Sequence, residues 1–185
     1  MSLAKLKPFR DYSEHDVVNG IFSLDTQTGA LGTLVKIAGS GFINGNNELF
    51  TNINSTIPNV YTPRKSTVAK VTRTTSGDRP FGFLLYDVKE VNFQGVSFAY
   101  DPARKAEAQC VISGEAVPVV RKGLFLVAVP TGQLPAPGKV LVADNTTAGE
   151  WACASAGTAK SFGVCLGSPD ADGYTLVAVD FNKAA

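Results

Sequence analysis

The sequence predicts an all-β chain: an antiparallel β-barrel or sandwich with Gly/Pro-rich turns, an extended N-terminal arm and one long excursion loop. Three observations carry that prediction. Between Ala116 and Phe181 the chain is a run of short apolar segments, VPVVRKGLFLVAV, PAPGKVLVAD, EWACASAG, SFGVCLG and GYTLVAVDF. Turn residues divide them at Gly123, Pro135–Gly138, Asn145–Thr147, Ser168–Asp170 and Asp172-Gly173, recurring roughly every 8–12 residues as in sandwiches and barrels. Each segment is as long as a strand and too short for a helix. Glycine (18) and proline (10) are plentiful, which suits many tight turns.

Residues 1–16 form the arm. Lys5, Lys7 and Arg10 surround Phe9 and Tyr12, with Pro8 between them and neither strand alternation nor a helical period. Such a segment is either free at its end or docked along a neighbouring subunit. The N-terminal β-rich half follows, residues 17–100. Val17–Leu24 and Leu31–Ile37 are expected strands flanking a turn at Asp25–Gly29. Residues 38–63 turn rich in Gly, Asn, Thr and Ser while keeping Phe42, Ile43, Leu49, Phe50, Ile53 and Ile57, so they are expected to form a long excursion loop packed on a surface. Ser66–Thr75, Phe81–Val88 and Val91–Tyr100 read as strands.

The C-terminal half, residues 101–185, opens on an ambiguity. Asp101-Pro102 suits the start of a short helix, with Asp as N-cap and Pro at the first helical position. Ala106, Ala108, Cys110 and Ile112 alternate with Glu107 and Gln109, which has the period of a strand, and the strand is favoured. Leu124–Val129 is six apolar residues without polar alternation, and Tyr174–Val179 is nearly the same. A sheet with one wet face alternates apolar and polar residues. These strands therefore need cover on both faces, from the other half of the chain or from another copy of it.

The sequence also echoes itself. GTLVKI (32–37) is like GKVLVA (138–143), and RPFGFLL (79–85) is like KSFGVCL (160–166), in the same order. Two halves built on a related plan would produce this, as would chance among strands.

Composition narrows the function classes. The net charge is +1 with 18% charged residues, too weak a field to recruit nucleic acid or a membrane surface. The start lacks the apolar stretch of about 7–15 residues of a signal peptide. No run reaches the ~20 apolar residues of a membrane span. Cys110, Cys153 and Cys165 are an odd number at wide spacings within apolar segments, as buried free thiols would be in a chain made in a reducing cytoplasm. There the sequons at Asn54 and Asn145 carry no weight.

Catalytic patterns are sparse. His15, between Glu14 and Asp16, is expected to be a solvated surface residue rather than a general base. One histidine cannot furnish a His-rich zinc site, and no CxxC spacing exists. Asp170-Ala171-Asp172-Gly173 looks like a calcium-loop start, yet the twelfth loop position falls on Phe181, so a hairpin turn is expected. Gly132–Lys139 lacks phosphate-loop spacing. Arg64, Lys65, Lys70, Arg73 and Arg79 read as a solvated strand face. No cofactor or metal is expected, and no enzyme.

The C-terminal pattern PAPGKVLVAD, EWACASAG, SFGVCLG and GYTLVAVDF, with the N-terminal RDYSEHDVVNGIFSLDTQTGALGTLVKI, resembles the decoration proteins of tailed bacteriophages, also called cement or head-stabilising proteins. That resemblance implies a virion protein, synthesised in the host cytoplasm, sitting as a homotrimer on the outside of the capsid. There it would bridge copies of the major capsid protein against internal DNA pressure, with no nucleic-acid or membrane partner. Capsid contact would suit the arm, at Lys5, Lys7, Phe9, Arg10 and Tyr12, and the loop, at Phe42, Phe50 and Tyr61. The trimer interior would suit Leu124, Leu126, Leu176 and Val177. Deleting Met1–Arg10 should then weaken capsid binding and spare the fold. The rival is a trimeric receptor- or glycan-binding module of a fibre or tail, stacking sugars on Tyr61, Trp151 or Tyr174. A hydrolase using Cys153 or Cys165 is the remaining alternative.

Overall fold

The computed structural model describes residues 5–9, 13–23, 29–38, 42–44, 65–67, 70–112, 114–158 and 160–182. It is nearly all β, 41% strand against 6% helix, with antiparallel sheets as predicted. In chain order the strands are β1 (Leu6–Pro8), β2 (Val17–Ser23), β3 (Leu34–Ala38), β4 (Phe42–Asn44), β5 (Lys65–Thr67), β6 (Lys70–Arg73), β7 (Gly82–Leu84) and β8 (Asp87–Val88). After helix α1 (Pro102–Glu107) come β9 (Cys110–Val111), β10 (Ala116–Val120), β11 (Lys122–Ala128), β12 (Val140–Ala143), β13 (Trp151–Ala154), β14 (Gly163–Cys165) and β15 (Tyr174–Asp180).

Two sheets carry the fold. In one, β10-β2-β6-β3-β7 pair in a closed ring, whose only parallel step is the short β2–β6 contact. The other is six-stranded, in the order β1-β11-β15-β14-β12-β13. Strands between Val17 and Val120 build the ring, and those from Lys122 onward build the six-stranded sheet, which β1 joins from the N-terminus.

Beneath the two sheets lies one repeated plan, and the sequence echo marks it. The first repeat uses β2, β3, β6, β7 and β10; the second uses β11, β12, β13, β14 and β15. In both, the first strand pairs with the fifth, the fifth with the fourth, the fourth with the second and the second with the third. Register agrees as well: Val35 stands opposite Gly82 and Leu141 opposite Gly163, Val119 opposite Leu84 and Val177 opposite Cys165. The hydrogen bonds repeat with it. Phe81 N donates to Val35 O at 2.7 Å and Phe162 N to Leu141 O at 3.0 Å. Gly32 N donates to Leu84 O at 2.8 Å and Gly138 N to Cys165 O at 2.9 Å. Those two glycines close matching turns at φ +82° and +84°, where a side chain would be strained.

Several elements depart from the sequence expectation. Phe81–Val88 splits into β7, which pairs in the ring, and β8, which pairs with β9, and the expected loop 38–63 contributes β4, paired with β5. Pro102–Glu107 is helical, because the Asp101 carboxylate accepts from Arg104 N at 3.2 Å and caps it; the strand shrinks to Cys110–Val111. Val91–Tyr100 is no strand but a compact turn with a single bridge, Val91 to Ser97. Ser66–Thr75 holds two strands with different partners, β5 on β4 and β6 on β3. The arm is tied into its own chain: β1 pairs with β11, and Leu6 is 3% exposed.

The main core lies between the repeats. The inner face of the six-stranded sheet, with Phe125, Leu141, Trp151, Cys165 and Val177, packs on Leu34, Phe83 and Val120 from the outer face of the ring. Phe162 stacks on Phe181 at 4.7 Å, and both meet Phe83 edge-on at 5.8 and 5.5 Å. A second core fills the ring, built from Val35, Val71, Leu84, Val117 and Val119.

Candidate interaction surfaces

The doubly apolar strands β11 and β15 put one row inward and one outward. Phe125, Val127, Val177 and Val179 are buried, while Leu124, Leu126, Leu176 and Ala178 are only half-buried. Residues directly opposite in neighbouring strands share a face. The outward row therefore continues through the pairs Leu126–Leu176, Leu124–Ala178, Ala178–Val164 and Val164–Val140. Val164 and, just past β14, Leu166 are 38% and 47% exposed. Three of the four residues expected in a copy–copy contact, Leu124, Leu126 and Leu176, thus share this face. Val177 does not: it is fully buried in the core of its own chain, which supplies its cover.

A second surface grows from the segment between β7 and β10. The second repeat bridges the equivalent strands, β14 and β15, with a short turn at Asp170–Gly173; the first inserts β8, a turn, α1 and β9. The turn is rigidly built. Asn92 Oδ1 accepts from Gln94 N at 2.8 Å and from Val96 N at 3.0 Å, and Asn92 N donates to Val96 O at 2.9 Å. Arg104 of α1 reaches Gln94 Oε1 at 2.8 Å, and Phe98 anchors the base at 3% exposure. On that turn Phe93 is 92% exposed, beside an open groove of about 730 Å³ against α1, and Tyr100, just before the helix cap, is 87% exposed. Val91 and Val96 on the same turn are 49% and 45% exposed, so the turn displays several apolar side chains rather than one.

The sequence-predicted contact residues scatter. Lys7 lies in β1, at the edge of the six-stranded sheet, and Lys5 and Phe9 flank it, with Lys7 Nζ 4.0 Å from the centre of the Tyr174 ring and Lys5 paired to Glu150 at 3.3 Å. Phe42 is in β4, opposite Thr67. Arg10, Tyr12, Phe50, Tyr61 and Arg64 lie outside the described residues. Of the three aromatics expected to stack on sugars, Trp151 and Tyr174 are buried, at 4% and 3%. Phe93 and Tyr100 escaped sequence reasoning because Val91-Asn92-Phe93 imitates strand alternation. The missed signal was Asn92 and Gly95, a turn pair three residues apart.

No nucleophile is primed among the described residues that carry the expected chemistry. Burial, then the neighbouring Cys153, pushes the Cys165 thiol up to about 12, and burial also raises Cys153 and Cys110. The Cys153 and Cys165 sulfurs lie 3.8 Å apart, and both thiols are free. His15 is exposed on a turn. The Asp170 carboxylate is spent on the N–H groups of Asp172 and Tyr174, at 3.0 and 2.7 Å, as the expected hairpin requires. No group of three potential metal ligands occurs among the described residues, and none of their helices is long and apolar enough to cross a membrane.

Compared with known proteins, the chain matches no family model, no curated sequence and no solved structure. Function is therefore argued from the two surfaces.

Proposed function

We propose that this chain is a non-enzymatic virion structural protein, a capsid decoration (cement) protein. It binds the outer surface of a phage head as a trimer and adds contacts between major capsid proteins that must break before internal DNA pressure ruptures the shell. The observation that carries this reading is a pair of displayed aromatics, Phe93 on a braced turn and Tyr100 just before α1, 92% and 87% exposed on an insertion that one repeat has and the other lacks. It supports docking through shape and apolar contact. Three such insertions on one trimer would raise avidity over one by the linkage alone. The insertion thereby joins the arm, whose Phe9 is 54% exposed, as a proposed shell contact.

The test is co-sedimentation with undecorated, DNA-free shells of the virus that encodes the chain. The wild type should bind saturably, at a fixed number of copies per shell, and raise the temperature at which shells rupture. Phe93→Ser should weaken binding roughly thirtyfold, the loss of about 2 kcal/mol expected of an aromatic anchor. Particles whose heads lack the chain, or carry it only on the tail, would sink this reading and favour the receptor-binding rival.

A further inference from the structure

We infer that the outward face of the second repeat, around Leu124, Leu176, Val164 and Val140, is an interface covered by a sister copy of this chain. The inference rests on the reading of the chain as a homo-oligomer and names the surface that makes it one. Its ground is the internal repeat. In the first repeat the outward face carries Leu34, Phe83 and Val120, which the shared register matches to Val140, Val164 and Ala178. Leu34, Phe83 and Val120 are fully buried, because the second repeat lies on them. Their counterparts kept the same apolar character but have no third repeat to cover them: Val140 and Ala178 are half-buried and Val164 is 38% exposed.

Thus the same face is an established interface in one repeat and an open one in the other, and the simplest occupant is another molecule with the same surfaces. The apolar row crosses four strands, β11, β15, β14 and β12, which about 4.8 Å apart span roughly 14 Å, and four residues of strand run about 13 Å, so it covers roughly 190 Å² in plan. A contiguous row of this kind differs from apolar residues scattered singly over a surface. The edge strands of the sheet are poor templates for pairing: β1 is three residues long and ends on Pro8, and on β13 Gln133 Oε1 accepts from Cys153 N at 2.9 Å. Copies are therefore left to meet through this face rather than edge to edge.

Light scattering coupled to size exclusion tests this on the full chain. Wild type should be assembled at micromolar concentration. Val164→Lys and Leu166→Glu, both at partly exposed positions, should each fold by circular dichroism and run at monomer mass, with at least a tenfold weaker assembly constant. Leu134→Lys, on a loop residue 77% exposed, should stay assembled. A monomeric wild type, two face variants that assemble like the wild type, or dissociation of all three variants alike would overturn the inference. Should one face variant fail to fold, the other decides. Shell binding is scored separately: a chain that assembles through this face but binds no shell refutes the decoration reading and leaves this interface standing.

Discussion

Gly82 and Gly163 hold equivalent places in the two repeats, and each leaves room for a backbone carbonyl of the neighbouring strand. A Cβ on Gly82 would stand 2.5 Å from Val120 O, and one on Gly163 would stand 2.7 Å from Ala178 O. Val120 and Ala178 are themselves counterparts. The obstacle is backbone in both cases, so relief means moving a strand. Gly82→Ala and Gly163→Ala should each destabilise by about 3 kcal/mol, the upper range for overpacking, which lowers the thermal midpoint by roughly 6–12 °C. An unchanged midpoint in either variant would show that the close approach is not real. At the same scale lie three carboxylates. Burial raises Asp78, but hydrogen bonds from Lys36 and Thr75 outweigh it and hold the group below its ordinary value of 3.8. Asp144 is lowered likewise through Thr146, Thr147 and Asn145, and Glu115 through Lys105 and Ile112. A carboxylate depressed in the folded state stabilises above its unfolded pKa and loses that contribution as pH falls through the folded one. Stability should therefore stay level in the pH range just above 4.5 and decline below about 4. Thermal midpoints across that range check it, and a midpoint that rises on acidification would contradict the assignment.

Elements were legible where local chemistry and tertiary demand agreed. The strands from β10 to β15 follow from apolar runs cut by turn residues, and the echo of FGFLL in FGVCL pointed to a repeat that the register then bore out. Elements failed where one local signal imitated another. The alternation of Ala106, Ala108 and Cys110 hid a helix whose cap, Asp101, was visible, and Phe93 hid a turn. Arm docking could not be seen at all, because β1 is three residues long and its pairing with β11 depends on contacts across more than a hundred residues of chain. That docking changes what truncation should do. Leu6 lies at 3% exposure in the main core, and its loss leaves a cavity there. Leu6→Ala should cost about 3 kcal/mol. Deleting Met1–Arg10 should lower the thermal midpoint as well, contrary to an arm that serves the capsid alone. A truncated chain as stable as the full one would restore the free-arm picture.

At the scale of the whole molecule, two repeats would ordinarily invite two unfolding transitions, one for each. Here the core forbids it. Phe83 belongs to the first repeat, yet its ring lies edge-on to Phe162 and Phe181 of the second, and Leu34 and Val120 join the same cluster. The six-stranded sheet does not close on itself, so its inner face has no other cover. If the ring of the first repeat melted, Phe125, Leu141 and Val177 would meet water, and a sheet that exposes such a face has little left to hold it together. Unfolding should therefore be a single cooperative transition, with calorimetric and van't Hoff enthalpies equal. It should be measured on a face variant that remains monomeric, so that assembly does not intrude. Phe83→Ala should move that one transition down by about 3–5 kcal/mol in stability without splitting it. Two resolved transitions, or a fragment of residues 122–182 that folds by itself, would show that the repeats are independent domains and that the shared aromatic cluster is incidental.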